Sequence, residues 1–379
     1  MRVLVDGRPL QGATGRRGVG AYVRCLLHGL MRADAGIEAA VLVDRRLGTL
    51  DDAPRDPRIA YVSPRRGPGP ALLWGRVLGP RWTRRAGADL LHATFLAPPR
   101  PPNGVPLVAT VHDLIPLHHP ARFNRRQRWV FRRSLALAAT ASRVIAVSHE
   151  TAARFRDAYG VDETRIDVIP PPVDVERYGA VLRRGLSGVD EPYLLHLGGF
   201  DPLKGVPDLL LPAFAHVVRE RRELLLALTG SGAGRRDAER VARDLGLTGR
   251  VLFVGHLEAQ EHVSAIAGAS AVVVSSWEEG FGLPAAEALA AGVPLAVGPA
   301  AATREAAGRH AALAPAPTPE GLAEAIGAAI ASGGRSSDEA ESRRLFARRF
   351  APERVAARVI DAYRAALSAA PARRAVARP

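Results

Sequence analysis

One pattern constrains the fold of this 379-residue chain more than any other: short β-branched or leucine-rich runs alternate with longer helical patterns, and the alternation starts afresh near the middle. Alternation of this kind implies parallel strands joined by crossover helices. In the first half it predicts strands over 3–6, 40–43, 58–62, 89–92, 107–111, 144–147 and 167–169, with helices over 19–32, 122–139 and 149–159. After the restart it predicts strands over 193–197, 224–229, 251–254, 271–275 and 294–297, with helices near 206–219, 234–245, 259–268, 284–291 and 319–331. The proline-interrupted stretch 170–192 is the best boundary candidate. The expected architecture is α/β, with two doubly wound domains, 1–175 and 193–350, joined by a linker over 176–192 and facing each other across a cleft. After Pro352 a last helical run over 353–367 either caps the second domain or packs back across the linker, so 351–379 stands apart as a helix and a short basic tail.

Composition narrows the function classes. Cys25 is the single cysteine, which excludes an internal disulfide framework and a cysteine-rich zinc site. Asp6 follows only three apolar residues, so the N-terminus reads as a first strand and not as a signal peptide; with no apolar run of 18 residues, a cytoplasmic chain is expected. Of the 52 basic residues one is lysine, Lys204, and the rest are arginine. That bias makes the net charge of +14 a poor argument for nucleic acid, and no nucleic-acid partner is expected. The surplus is uneven, with 28 arginines against 16 acidic residues in 1–178 and near balance in the remainder.

The most informative segment is SSWEEGFGLPAAEALAAGVP, residues 275–294. A buried-type strand ends there in a glycine-rich turn, and Pro284 suits the first turn of a helix that stops before Gly292. The amides of Gly282 and Leu283 then lie at a helix N-terminus, where a pyrophosphate can bind. Glu279 sits on the turn and Glu287 one turn into the helix. Read alone, these two carboxylates are equally a loop residue and a solvated helix residue.

Together, Glu279, the run Gly280-Phe281-Gly282-Leu283-Pro284, Glu287 and the closing Gly292-x-Pro294 resemble the signature of the retaining glycosyltransferases of family 4. That resemblance implies the GT-B architecture, two Rossmann-like domains with the nucleotide-sugar donor on the second and the acceptor on the first. It assigns Glu279 to the donor sugar hydroxyls and Glu287 to the ribose, a task for which two acceptor oxygens suit paired hydroxyls. YLLHLGGFDPLKGVPDLLLPAF, residues 193–214, resembles the family's phosphate loop, with Gly199 on the loop and Lys204 where a lysine reaches the pyrophosphate. A chain that uses arginine everywhere else spends its one lysine here, which favours a compact ammonium on a flexible stem. Many relatives carry an arginine five residues before that lysine; here the position is Gly199.

In the first domain, Gly12, Gly15, Gly18 and Gly20 lie between the first strand and first helix, with Asp44 ending the second strand. The rival reading is a nicotinamide dinucleotide site, but its fingerprint wants a glycine at Val23. GVGAYVRCLL, from Gly18, resembles instead the family loop that approaches donor phosphates and acceptor, and it places Tyr22 on the acceptor side. TVHDLIPLHHP, residues 110–120, resembles the His-Asp-Leu-Ile-Pro element of one branch, which implies that His112 contacts the donor sugar near the reacting carbon, with Asp113 beside it. VIAVSHET (144–151) and VIPPPVDVERY (168–178) match further elements in order, the latter with Pro171-Pro172 in place of Asn-Gly. Glu305 fits an acidic family position, preceded by Arg304 where proline is usual.

No Walker lysine motif, zincin pair or Asp-x-Asp occurs, so metal-independent transfer without a cofactor is expected. The implied function is retaining hexose transfer from a nucleotide-diphosphate sugar to a glycan, lipid-linked or small-molecule acceptor in cell-surface polysaccharide or glycan assembly. Mannose from GDP-mannose is the first choice, and rhamnose or glucose remains open. A non-catalytic GT-B scaffold is the alternative. Finally, Arg122, Arg125, Arg126, Arg128, Arg132 and Arg133 share one face of about 160° on an ideal helix with Trp129 among them. That face reads either as contact with an anionic membrane at the inner face of the plasma membrane or as a solvated arginine-rich surface.

Overall fold

The computed structural model describes residues 1–12, 18–34, 36–44, 50, 52–63, 79–95, 100–180, 185–333 and 337–369. The chain forms two compact units, Met1–Pro172 with Ala351–Pro379, and Val173–Phe350. The first is built on seven parallel strands: β1 (Arg2–Asp6), β2 (Glu38–Leu42), β3 (Ile59–Val62), β4 (Leu90–Ala93), β5 (Leu107–Val111), β6 (Arg143–Ala146) and β7 (Ile166–Val168), in the order β3-β2-β1-β4-β5-β6-β7. The second holds six, again parallel: β8 (Tyr193–His196), β9 (Leu225–Thr229), β10 (Val251–Gly255), β11 (Ala271–Val274), β12 (Leu295–Val297) and β13 (Ala312–Leu313), in the order β10-β9-β8-β11-β12-β13. Both sheets are doubly wound. Each reverses direction once, between β1 and β4 and between β8 and β11, and ligands of such sheets bind at the carboxyl ends of the strands at that reversal.

Burial explains why the strands read as apolar runs instead of alternating ones. Val3, Leu4 and Val5 of β1 and all four residues of β11 are covered on both faces, as a sheet flanked by helices requires. Helix ends follow local chemistry. Ser148 caps the helix His149–Tyr159 by accepting from the Thr151 N–H, and Asn124 forms a reciprocal capping box with Gln127 at the start of Arg125–Ala138.

The C-terminal helix Pro352–Ser368 packs on the helix Gly18–Ala33 of the first unit. Val355, Ala356, Val359, Ile360 and Tyr363 recur at helical spacing on one face and meet Tyr22, Val23, Leu26, Leu27 and Leu30 on the other.

Several elements depart from the sequence reading. The stretch 176–192, read as a linker, carries part of a helix, Val175–Ala180, whose Tyr178 is buried within the second unit, which starts at Val173. The helix near 206–219 opens as a wide turn over Val206–Leu210 before continuing as Leu211–Glu220, since Pro212 has no N–H for the preceding turn. Arg122 ends a separate 3-10 turn, Pro120–Arg122, and is not on the arginine-bearing helix, which starts at Arg125 after the Asn124 cap. Among the described residues, no helix is long and apolar enough to cross a membrane.

Candidate functional site

In the second unit the loops leaving β8 and β11, the strands that flank the sheet reversal, bring Lys204 and Glu279 together. Lys204 ends the short turn Pro202–Lys204, which Asp201 caps by accepting from the Leu203 N–H. The loop after β11 closes onto it: the Ser275 hydroxyl donates to the Lys204 carbonyl at 2.7 Å, and the Trp277 N–H donates to the Leu203 carbonyl at 2.8 Å. The Trp277 indole N–H donates to Asp208, which ties the same loop further along. Within this clamp Lys204 Nζ meets Glu279 Oε1 at 2.5 Å, and the Ser276 hydroxyl donates to that same oxygen at 2.7 Å. Both side chains are largely covered, which strengthens the pairing relative to an exposed one.

Two glycines make this geometry possible. Gly199 has φ +79°, and a Cβ there would run into the Ser231 carbonyl, so the loop has no space for a side chain at this position. Gly282 has φ +96° and starts the helix Leu283–Ala291, where a Cβ would meet Thr303 Oγ1 at 2.5 Å. The N–H groups of Gly282 and Leu283 precede the first bond inside that helix and carry its positive dipole end. Phe281 turns inward and packs edge-on against Phe350, anchoring the turn. Gly280 is half-buried between Glu279 and that anchor.

Glu287 points elsewhere than Lys204. Its Oε2 pairs with His262 Nε2 at 3.1 Å, on the helix Ala259–Gly268. Burial would pull His262 down, but the Glu287 charge and hydrogen bond outweigh it and raise its pKa. His196, the last residue of β8, lies buried behind the Lys204 pair; burial first, then the lysine charge, lower it to about 4. Its Nδ1 faces the Val273 carbonyl at 3.1 Å and therefore carries the proton. The His262–Glu287 contact had no sequence signal, because the two residues come from separate elements.

In the first unit, Gly18 and Gly20 open the helix Gly18–Ala33, Gly12 has φ +57°, and Gly15 lies outside the described residues. Tyr22 is buried, its hydroxyl 3.0 Å from Thr110 Oγ1, and its ring meets His112 edge-on with centroids 4.9 Å apart. His112 follows β5 and donates from Nε2 to the Thr94 carbonyl at 2.8 Å, while burial lowers its pKa to about 4. It is thus neutral, with Nδ1 as an acceptor. Asp113 accepts from the Ile115 N–H at the start of the turn Ile115–His118. Glu305 lies on the helix Ala301–Ala307.

Comparisons with known proteins bear on the family and the fold. The family model of Glycosyltransferase Family 4 matches residues 16–177, and that of Glycosyl transferases group 1 matches 182–363. A D-inositol 3-phosphate glycosyltransferase of Xylanimonas cellulosilytica is 31% identical over 290 residues, covering 71% of this chain and 68% of the relative. One of Nocardia farcinica is 34% identical over 207 residues, 50% of this chain and 46% of its own length. Among solved structures, Anabaena Alr3699/HepE in complex with UDP and glucose superposes with a TM-score of 0.70 at 20% identity, covering 96% and 99% of the two chains. Sucrose-phosphate synthase of Thermosynechococcus elongatus does so with a TM-score of 0.70 at 22% identity over 97% and 99%. These solved neighbours establish the GT-B fold of the two units. The chain belongs to the family 4, group 1 glycosyltransferases.

Proposed function

We propose that the protein is a retaining, metal-independent hexosyltransferase that uses a nucleotide-diphosphate sugar. The observation that carries this reading is the Lys204–Glu279 pair at the sheet reversal, three residues before the free amides of Gly282 and Leu283. A cation and a helix N-terminus suit a diphosphate; a carboxylate beside them suits the hydroxyls of the attached sugar. Glu287, one helical turn on and pre-set by His262, suits the ribose. In this scheme an acceptor hydroxyl oxygen bonds to the anomeric carbon on the face that the diphosphate leaves. The carbon–oxygen bond to phosphate breaks, and the acceptor proton passes to the departing phosphate oxygen. Catalysis comes from stabilising the charge that grows on that diphosphate, with donors already in place before the reaction. Tyr22, His112 and Asp113 serve the acceptor side.

For the donor, the run His112 to Pro116 favours mannose from GDP-mannose, while a solved neighbour bound to UDP and glucose supports a UDP-hexose as the second reading. The acceptor class is a polyol, glycan or lipid-linked sugar, the first supported by relatives named for inositol 3-phosphate. Turnover of GDP-mannose and UDP-glucose, read as released nucleoside diphosphate, decides between the donors. The expected result is turnover of one, lost by a factor of about 10² to 10³ in Lys204→Ala, the scale of removing one preset charge donor. A protein that turned over no nucleotide sugar would leave the non-catalytic reading standing.

A further inference from the structure

The first unit holds a buried polar chain that the functional reading does not use, and it starts on the C-terminal helix. Tyr363, fully buried on Pro352–Ser368, brings its hydroxyl to 2.7 Å from His92 Nδ1 at the end of β4. His92 Nε2 lies 2.8 Å from Thr110 Oγ1 on β5, and Thr110 Oγ1 is 3.0 Å from the Tyr22 hydroxyl. Tyr22 in turn stacks edge-on with His112. Tyr363, His92, Thr110 and Tyr22 are thus joined by hydrogen bonds, and the chain ends on His112 through the Tyr22 ring.

Chemistry gives this chain a direction. Burial, reinforced by the neighbouring His112, lowers His92 to about 3, so the ring is neutral and one nitrogen carries one proton. Tyr363 is enclosed by apolar core side chains such as Val355, Val359 and Ile360, and among the described residues its hydroxyl's hydrogen-bond partner is His92 Nδ1. Its O–H therefore donates to Nδ1, since a buried hydroxyl proton left unpaired is costly. That sets His92 as the Nε2–H tautomer, which donates to Thr110 Oγ1 and fixes the threonine hydroxyl against Tyr22. Without Tyr363 either tautomer is open to His92, and the Nδ1–H form turns a lone pair toward Thr110.

We infer that Tyr363 is a positioning residue for glycosyl transfer: it selects the His92 tautomer and, through Thr110, holds Tyr22 and His112 in place. This rests on the acceptor-side roles proposed above. A segment that follows the donor-binding unit in sequence is thereby required by the acceptor-side unit.

The test uses the full-length chain with GDP-mannose and UDP-glucose. Tyr363→Phe should lower turnover about tenfold while the Kd for GDP or UDP is unchanged. Thr110→Val should behave alike, Thr110→Ser should keep activity, and the double variant Tyr363→Phe/Thr110→Val should be no worse than either single one, because both break the same chain. Independently of activity, ¹⁵N spectra of histidine-labelled protein, with His92 assigned through its replacement, should show a neutral Nε2–H ring that becomes a tautomer mixture in Tyr363→Phe. An active wild type with unaltered Tyr363→Phe turnover, additive losses in the double variant, or an Nδ1–H His92 would each overturn the role alone. A wild type inactive with both donors, though its His92 is Nε2–H, would remove the glycosyl-transfer reading and this role with it.

Discussion

At the scale of single residues, buried histidines tie stability to pH. His92, His112 and His196 are held neutral at about 3, about 4 and about 4, mainly by burial, while an unfolded histidine titrates near 6.5. Below pH 6.5 the unfolded chain binds protons that the folded one refuses. Their contribution to stability is therefore full above that pH and is lost as pH falls toward the folded values, by about 1.4 kcal/mol per pH unit for each histidine. His262 has the opposite sign: its raised pKa adds stability below 6.5 that is lost as pH rises through the folded value. Urea midpoints measured from pH 7 to pH 5 should fall, and His92→Gln should flatten the slope by about one histidine's share. A slope unchanged by His92→Gln would show that His92 is not neutral in the folded protein.

These residues also mark the limit of what sequence conveys. Lys204, Glu279 and Glu287 were legible because they sit in short motifs whose glycines and prolines fix the backbone around them. Gly199, by contrast, read as a departure from the family pattern, and its reason appears only when Ser231 is seen against it. His262 and Tyr363 gave no local signal at all, since their partners Glu287 and His92 are 25 and 271 positions away.

At the scale of elements, strands were read well because β-branched runs buried on both faces are unambiguous. The weaker elements escaped for physical reasons. Ala301–Ala307 has no bulky apolar residue from which to read a stripe, and β13 has only two residues. The charge pattern runs one turn past the start of the arginine-bearing helix, because the Asn124 cap that starts it lies inside that pattern. Once Arg122 is removed, the helix Arg125–Ala138 still buries Ser134, Leu135 and Ala138 and leaves Trp129 exposed, with the Arg133 guanidinium 5.4 Å from its ring centroid. We propose that this face meets anionic lipid. At roughly 1 kcal/mol per arginine near such a surface, replacing Arg125, Arg128 and Arg132 by alanine should weaken binding to phosphatidylglycerol vesicles about a hundredfold at low salt. Vesicle binding that is absent, or unaffected by these changes, would leave a solvated face.

At the scale of the whole molecule, two doubly wound sheets with one reversal each give two ligand-binding edges in one chain. The second unit's edge carries a lysine, two carboxylates and a helix N-terminus; the first carries the Arg8–Asp6 ion pair, Asp113, neutral histidines and a tyrosine. The lysine beside a helix N-terminus is the basis for placing the anionic donor on the second unit. The most direct test is a crystal structure with GDP-mannose or UDP-glucose soaked into the full chain. The diphosphate should lie within hydrogen-bond reach of Lys204 Nζ and the amides of Gly282 and Leu283, with the sugar at Glu279 and the ribose at Glu287. A nucleotide bound instead at the turn after β1 in the first unit, or bound with Lys204 and Glu287 untouched, would contradict the account.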